Sequence, residues 1–244
     1  MDLKLFQNEP YVENFFSYRR ITSTNENAHE LESFPDKGIF IIQADIQTKG
    51  KGRRGNSFFS DSTGGLWITI VTHIGDLSQH FTFNRSLSIS IAETLIEQYP
   101  SDNIKIKWPN DIYISDKKIC GILLEMHRKR NDILIIGFGI NINTSRNEFP
   151  SELQSTATSL SIETGKIYSL NDILSSIITK YKKWICTDQY PAHLRYMELL
   201  YKSGTHVNIE NKTGIFETVM MDGRLKLITE CGIELIDSGT MRFI

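Results

Sequence analysis

The amino-acid sequence predicts an α+β fold in which helices flank a mixed, largely antiparallel β-sheet and a small β-barrel follows. Four strand-like runs between residues 104 and 140 are joined by short polar turns, which favour antiparallel hairpins over βαβ crossovers. Amphipathic segments before and after these runs predict the flanking helices. Beyond residue 203 the chain changes to short strands separated by glycine-containing turns, as is typical of a small SH3-like barrel. We therefore expect one domain over residues 1–203 and a second over residues 204–244.

The first half of the chain contains three predicted strands and two predicted helices. Residues 18–21 read as a short strand that leads into Ser23-Thr24-Asn25-Glu26. Ser23 with Glu26 fits a capping box, which predicts a helix through about Leu31. Apolar runs at residues 38–45 and 66–72 indicate buried strands. An amphipathic run at residues 84–99, which Pro100 ends, indicates a helix.

The second half of the chain runs from strands to helices and back to short strands. The predicted strands of the large sheet are residues 104–108, 111–114, 119–126 and 133–140, and the predicted helices are residues 169–186 and 191–201. The short C-terminal strands are residues 207–210, 216–220, 225–229 and 233–236. Glycine weakens a strand unless another group approaches its backbone closely, so we expect such an approach at Gly121, Gly137 and Gly139.

The composition excludes several classes of protein. The 244 residues are 40% hydrophobic and 23% charged with a net charge of −2, which gives no overall attraction to nucleic acid or membranes. Three distant cysteines and six histidines without metal-ligand spacing predict neither a disulfide framework nor a histidine-bound metal. No apolar run approaches the roughly 18 residues that span a bilayer, and residues 1–4 do not resemble the start of a leader peptide. We expect a cytoplasmic protein.

The chain is organised around a basic, glycine-rich stretch at residues 47–55, Gln-Thr-Lys-Gly-Lys-Gly-Arg-Arg-Gly, which we call the basic loop. Glycines let a backbone approach a ligand, while fixed cations and exposed N–H groups suit phosphate or carboxylate oxygens. A solvated surface loop can have the same composition, so both interpretations stay open on this stretch alone. No Walker lysine followed by Ser or Thr occurs and no GxGxxG opens a predicted helix, so the two standard nucleotide-binding loops are absent.

A second dense block of functional side chains lies at residues 107–123. It begins Lys-Trp-Pro-Asn-Asp and places Lys118 seven residues after Asp111. A proline interrupts a strand ladder, so residues 108–110 are expected to leave the sheet at a bend. Alone, the block is equally consistent with an aromatic–proline corner surrounded by solvated lysines.

Together these motifs resemble the biotin protein ligase family. The basic loop, the Lys-Trp-Pro-Asn-Asp block with Lys118, and Gly-Phe-Gly-Ile-Asn at residues 137–141 occur in the order and spacing of that family. Ser23-Thr24-Asn25 stands where the family has the same triplet. The resemblance covers residues 18–145 and implies a catalytic domain similar to class II aminoacyl-tRNA synthetases. The C-terminal residues resemble the family's SH3-like domain more loosely.

The resemblance also implies the activity and the partners. The family activates biotin with ATP to biotinyl-5′-AMP, releases pyrophosphate, and transfers biotin to a lysine of a biotin carboxyl carrier domain of a carboxylase. Mg²⁺ would be held mainly by the ATP phosphates, without a metal site formed by the protein. No segment before residue 18 matches the family's optional DNA-binding domain, so a minimal ligase without DNA binding is expected, as a monomer or weak homodimer.

Residue roles follow from the matched motifs. The expected catalytic residues are Lys118, Arg53 and Asp111. Attack of a carboxylate on the α-phosphate brings two anions together, so Lys118 and Arg53 would offset the charge. Asp111 would orient or deprotonate the acceptor lysine, with a structural role at the bend as the alternative. The implied biotin site is Ser23, Thr24, Gln47, Gly50, Arg53, Lys118, Gly121, Gly137 and Gly139. The implied ATP and adenylate site is Arg53, Arg54, Phe58, Lys107, Asn110 and Asn141.

One position departs from the family pattern. After Gly55 the family usually carries a basic residue, whereas this chain has Asn56-Ser57-Phe58-Phe59. Phe58 is expected to form an aromatic wall for the adenine. The missing cation at Asn56 implies a weaker hold on the adenylate.

Three alternative functions are considered. A lipoate ligase would share the fold and the chemistry, but the complete Lys-Trp-Pro-Asn-Asp block and the paired loop arginines favour biotin. A nucleic-acid-binding module would need clustered excess charge with interleaved aromatic residues, which the sequence lacks. An inactive adaptor is disfavoured because Lys118, Arg53 and Asp111 are all present.

Overall fold

The computed structural model describes residue 6, residues 10–101 and residues 103–244, so residues 1–4, where the sequence predicts no leader peptide, lie outside this part. The strands are Val12–Ile21 (β1), Ile39–Gln47 (β2), Gly65–His73 (β3), Ile104–Lys107 (β4), Asp111–Ile114 (β5), Lys117–His127 (β6), Arg130–Asn141 (β7), His206–Ile209 (β8), Lys212–Val219 (β9), Leu225–Thr229 (β10), Gly232–Ile236 (β11) and Met241–Phe243 (β12). The helices are Thr24–His29 (α1), His80–Gln98 (α2), Leu160–Thr164 (α3), Leu170–Ile185 (α4) and Gln189–Glu198 (α5).

The first seven strands form one sheet in the order β1-β2-β3-β7-β6-β5-β4. β1 pairs with β2 in parallel, whereas every other neighbouring pair of this sheet is antiparallel. The hairpins between β4 and β7 arise because their connections are short polar turns that reverse the chain. The predicted mixed, largely antiparallel sheet flanked by helices is therefore confirmed.

The main hydrophobic core lies between the large sheet and the helices α2, α4 and α5. α2 is buried along most of its length, and Leu87, Ile91 and Leu95 are completely shielded from solvent. Burial of each such side chain stabilises the fold by about 1.5–3 kcal/mol. α2 begins at His80, four residues before the predicted start, and the 3-10 turn ahead of it is capped by the Asp76 carboxylate, which accepts a hydrogen bond from Ser78 N at 2.7 Å.

The predicted capping box at α1 is wrong. Ser23 occupies the N-cap position with an extended backbone, but its side chain makes no capping hydrogen bond. Instead Ser23 lines the cavity described below, and the Glu26 carboxylate contacts Lys51 and lies 2.6 Å from Arg128 Nη2. The Glu26 carboxylate therefore pairs with cations distant in sequence and does not cap the helix. α1 ends at His29, before the predicted end at about Leu31.

Two elements of the large domain differ from prediction for local reasons. β1 spans ten residues, whereas only its last four were predicted, because exposed polar residues dominate this edge strand. α3 was not predicted, since five residues are too few to show a helical period.

The last five strands form an antiparallel sheet in the order β11-β10-β9-β8-β12. This arrangement is consistent with a small SH3-like domain, although the described strands show no pairing between β11 and β12 that would close a barrel. Trp108 Nε1 donates a hydrogen bond to Gly223 O at 2.9 Å, so the two sheets are in contact. The domain boundary at residues 203–204 stays a prediction. No described helix is both long and apolar enough to cross a membrane.

Candidate active site

A cavity of about 220 Å³ lies where the basic loop meets strands β5, β6 and β7 and the chain leading into β12. Four cations, one carboxylate and several uncharged polar side chains line it. The predicted site residues that line the cavity are Ser23, Thr24, Gln47, Arg53, Phe58, Lys107, Asn110, Asp111, Lys118, Gly121, Gly137 and Gly139. The two sequence blocks, about fifty residues apart in the chain, are therefore brought together.

Three predicted site residues lie outside the lining of this cavity. Gly50, within the basic loop, is buried, and an added Cβ there would overlap Ser60 Oγ. Arg54 adopts a left-handed backbone conformation with φ of 57° and contacts Glu210. Asn141 is buried and its Nδ2 donates to Thr158 O at 3.0 Å.

The register of the large sheet divides the lining into two neighbouring rows. Asp111 pairs with Gly121, which pairs with Gly139. These three residues form the first row. The second row contains Gly137, two residues before Gly139 on β7, and its partner Thr69 on β3. Side chains two residues apart on a strand face the same side. The rows therefore lie side by side on one face of the sheet.

A cationic group, defined as Arg53, Lys107 and Lys118 with Asp111, accompanies the first row. Lys118 Nζ lies 2.7 Å from Asp111 Oδ1 in an ion pair. Arg53 Nη1 donates to Asn110 Oδ1 at 3.3 Å. Because cations outnumber carboxylates here, the group attracts anions.

Lys107 is held in an aromatic setting. Its Nζ lies 4.9 Å from the ring centre of Tyr113 and 5.5 Å from that of Phe243, which belongs to β12. Burial lowers the pKa of Lys107; Asp111 raises it, and nearby Lys118 opposes that effect. Burial and the adjacent arginine likewise lower the pKa of Arg53, and Asp111 raises it.

The predicted bend at residues 108–110 is confirmed, because β4 ends at Lys107 and β5 begins at Asp111. The Trp108–Pro109 peptide bond is cis. Asn84 Nδ2 donates to Pro109 O at 2.7 Å, and Asn110 O accepts from Ile122 N at 2.8 Å. These bonds hold the bend against α2 and β6 and thereby aim Asp111 at the cavity.

The strand glycines provide the close approach that the sequence predicts. An added Cβ at Gly139 would overlap the Phe58 ring, and one at Gly137 would overlap the Asn25 amide. At Gly121 it would come within 3.0 Å of both Phe58 and Lys118 Nζ. Side chains of the protein itself therefore lie on the backbone at the sites where ligand approach was expected.

A polar group, defined as Ser23, Thr24, Asn25 and Gln47, accompanies the second row, and all four residues are buried. Thr24 N donates to Gln47 Oε1 at 2.7 Å, and Thr24 Oγ1 lies 3.0 Å from the same oxygen. Together with Thr69, these residues form a connected set of donors and acceptors with no charged member.

Several lining residues were not predicted. Asn25 lines the cavity, although the sequence analysis predicts no role for it. Its membership of the matched Ser23-Thr24-Asn25 triplet is the sequence signal that indicates this position. Gly239, Thr240 and Met241 reach the cavity from the C-terminal sheet, and no local sequence pattern indicates this contact.

The basic loop is held by backbone hydrogen bonds and by side-chain contacts of Lys51, Arg53 and Arg54. Lys51 forms an isolated bridge with Ser57, and Gly52 N donates to Asn56 O at 2.8 Å. Residues 53–55 form a single 3-10 turn, and Asn56, the departure from the family pattern, lines the cavity.

Comparison with solved structures defines the class of protein. The biotin protein ligase from Aquifex aeolicus in complex with biotin and ATP matches with a TM-score of 0.83 at 27% identity, over 95% of this chain and 100% of that chain. The fold is thus that of a biotin protein ligase catalytic domain with its C-terminal sheet. The chain belongs to the biotin/lipoate A/B protein ligase family, whose sequence pattern matches residues 17–143.

Two curated relatives extend the similarity along the chain. The bifunctional ligase/repressor BirA of Bacillus subtilis (strain 168) is 31% identical over 229 residues, covering 89% of this chain and 70% of the relative. The biotin–[acetyl-CoA-carboxylase] ligase of Paracoccus denitrificans is 22% identical over 236 residues, covering 92% of this chain and 98% of the relative. The predicted family and enzyme class are confirmed. The expected lack of DNA binding stays a prediction.

Proposed function

We propose that this chain is a biotin–protein ligase, which activates biotin with ATP to biotinyl-5′-AMP and then transfers biotin to a lysine of a carrier domain. The observation that carries the proposal is a single cavity with an uncharged polar group beside a cationic group. Biotin has the same division, with a neutral ureido ring at one end and a carboxylate at the other. The Aquifex aeolicus relative is bound to biotin and ATP, which supports this assignment.

The polar group would bind the ureido ring. The ring offers two N–H donors and one carbonyl acceptor, and a buried site must satisfy them all. Ser23, Thr24 and Gln47 supply hydroxyl and amide groups within one buried set. The ring would lie beside the Asn25 amide, which occupies the space over Gly137.

The cationic group would catalyse adenylate formation. As the biotin carboxylate forms a bond to the α-phosphorus, the bond to pyrophosphate breaks and negative charge accumulates on the phosphate oxygens. Lys118 and Arg53 line the cavity where they can offset that charge. The ammonium of Lys118 is a mobile point charge able to contact both the carboxylate and the phosphate.

Asp111 would serve the second half-reaction. The amine of the acceptor lysine attacks the acyl carbon of biotinyl-AMP, the bond to AMP breaks, and the amine loses a proton. Asp111 is the sole carboxylate among the described residues that line the cavity, and it directly follows the bend at residues 108–110. We assign it the role of orienting that amine and accepting the proton.

ATP would lie along the cationic group with its adenine near Phe58 and Asn110. The described residues contain no group of three or more His, Cys, Asp and Glu side chains that could hold a metal ion. We assign Mg²⁺ the role of an ion that would arrive with ATP and be held mainly by its phosphate oxygens and water. The acceptor would be the biotin carboxyl carrier domain of a carboxylase, and the enzyme would act in the cytoplasm.

Incubation with biotin, ATP, Mg²⁺ and a biotin carboxyl carrier domain tests the proposal. We expect intact-mass spectrometry to show one added biotinyl group on the carrier. Lipoate in place of biotin should give no gain, and the Lys118→Ala variant should give a greatly reduced one. Modification with lipoate but not with biotin would overturn the proposal.

A further inference from the structure

A chain of hydrogen bonds runs from the polar group to Glu125 on β6, which does not line the cavity. Gln47 Oε1 accepts from Thr24 N at 2.7 Å. Thr69 Oγ1 lies 2.8 Å from Thr24 Oγ1 and 2.6 Å from Asn25 Oδ1. Asn25 Nδ2 donates to Glu125 Oε2 at 2.7 Å. These five residues come from four segments of the chain, and each link is within normal hydrogen-bonding distance.

The carboxylate at the end of this chain fixes the direction of the links through Asn25 and Thr69. An ionised carboxylate only accepts hydrogen bonds, so the Asn25 amide must turn its nitrogen toward Glu125 and its oxygen toward Thr69. The amide oxygen only accepts, so the single Thr69 proton points to Asn25. Thr69 then has no proton left for Thr24, so the Thr24 proton is shared between Thr69 Oγ1 at 2.8 Å and Gln47 Oε1 at 3.0 Å.

The fixed directions determine what the cavity offers to a ligand. Thr24 Oγ1 shares its proton between Thr69 Oγ1 and Gln47 Oε1 and keeps lone pairs, so it can accept from a ligand N–H group. Gln47 Oε1 is engaged by Thr24 N, so the Gln47 amide nitrogen is the group left to donate to a ligand carbonyl. One acceptor and one donor are the complement of one N–H and the C=O, two of the three polar groups of a ureido ring.

Water has little access to the Asn25 and Thr69 side chains, so it cannot readily replace the hydrogen bonds that orient them. Thr69 is fully buried and Asn25 is 4% exposed. Reversal of the Asn25 amide would bring its oxygen against the Glu125 carboxylate and leave Thr69 facing an N–H group. In a buried network one mismatched link costs more than the average hydrogen bond contributes, because the groups have no alternative partner.

We propose that Glu125 is a positioning residue that sets the hydrogen-bond polarity of the biotin-ring site through Asn25 and Thr69. The proposal rests on the biotin–protein ligase function proposed above. It assigns a ligand-selecting role to a carboxylate that touches no substrate, and it makes Thr69 the link through which that role is exerted.

A double-mutant cycle on biotin affinity, measured by isothermal titration calorimetry with the full chain, tests this proposal. Glu125→Gln introduces an amide that can turn either its oxygen or its nitrogen toward Asn25. Thr69→Val removes the hydroxyl and keeps the shape of the side chain. We expect each variant to weaken biotin binding by about tenfold, the usual effect of one buried hydrogen bond. In the double variant the loss should stay near tenfold, because both changes break the same chain.

Matched variants make the outcomes decisive. Thr69→Ser keeps the hydroxyl and should bind biotin like the original chain, and it keeps the test valid if Glu125→Gln fails to fold. Glu97→Gln, which changes an exposed carboxylate paired with Lys180 on α4, should leave affinity unchanged. Losses that multiply to about a hundredfold in the double variant, or equal affinity of Thr69→Val and Thr69→Ser, would overturn the proposal. An original chain that binds no biotin would instead refute the proposed function.

Discussion

The polar group and the cationic group lie side by side on one sheet face, yet they are held in opposite ways. Thr24, Asn25 and Gln47 of the polar group, together with Thr69, are each hydrogen-bonded to another buried residue of this set. Their donors and acceptors are therefore oriented before any ligand binds. In the cationic group, the side chains of Lys118 and Asp111 are 33% and 23% exposed, and Arg53 is carried by the basic loop. Like charges repel, so this second region needs the substrate's anions to complete it. The site is therefore half preformed and half assembled by its substrates.

The largest expected effect separates the two half-reactions within the cationic group. Lys118→Ala should slow adenylate formation by about 10²–10³-fold, the usual loss for one preorganised electrostatic contact. Asp111→Asn keeps the shape of the bend but removes the base, so adenylate should still form while transfer to the carrier falls by roughly 10²–10⁴-fold. Single-turnover measurements of each step provide the comparison.

Raising the pH is the control for this assignment. It should partly rescue Asp111→Asn, because more of the acceptor lysine is then deprotonated, and it should not rescue Lys118→Ala. If Asp111→Asn blocks adenylation as severely as transfer, the aspartate belongs to the nucleotide site or to the fold.

Two glycine substitutions on β7 compare the rigidity of the two regions directly. Gly137→Ala would make a Cβ overlap the Asn25 amide, which is hydrogen-bonded within the polar group. Gly139→Ala would make a Cβ overlap the ring of Phe58, which follows the basic loop. We expect the free energy of unfolding to fall by about 3 kcal/mol for Gly137→Ala and by about 1 kcal/mol for Gly139→Ala, the two ends of the usual range for overpacking. Urea denaturation measures both, and equal losses would contradict the difference in rigidity.

The smallest effect concerns pH on the polar side. Burial, followed by the charge of Arg128, lowers the pKa of His29 from its ordinary value of 6.5, and Glu125 opposes this shift. The unfolded chain then takes up a proton at higher pH than the folded one, so stability should decrease as the pH falls below about 7. His29→Gln should flatten this dependence in thermal denaturation from pH 7 to pH 5, and His206→Gln, on an exposed residue, should not.

The sequence was most informative where function depends on local motifs. The basic loop, the Lys-Trp-Pro-Asn-Asp block and the glycine-bearing strands each carry their residues within a few positions, and most of these residues meet in the cavity. The hairpins were equally predictable, because short polar turns leave adjacent strands no other pairing.

The sequence was least informative where a residue's role depends on a distant partner. Glu26 fits a capping pattern locally, yet its partners Lys51 and Arg128 lie 25 and 102 residues away. Glu125 lies 100 residues from Asn25, so no local pattern could join them. The contribution of the C-terminal sheet to the cavity was missed for the same reason, since it follows from how the two sheets pack.

Hydrogen exchange detected by mass spectrometry tests most directly whether one region is preformed and the other assembled. Amides of α1 and β2, beside the polar group, should be protected already in the free protein and change little on addition of biotin and ATP. Amides of residues 49–57, which include most of the basic loop, should exchange rapidly in the free protein and become protected only when both ligands are present, because anions offset the repulsion among the loop's cations. A basic loop that is already protected without ligands, or a polar region that gains as much protection as the loop, would contradict the account.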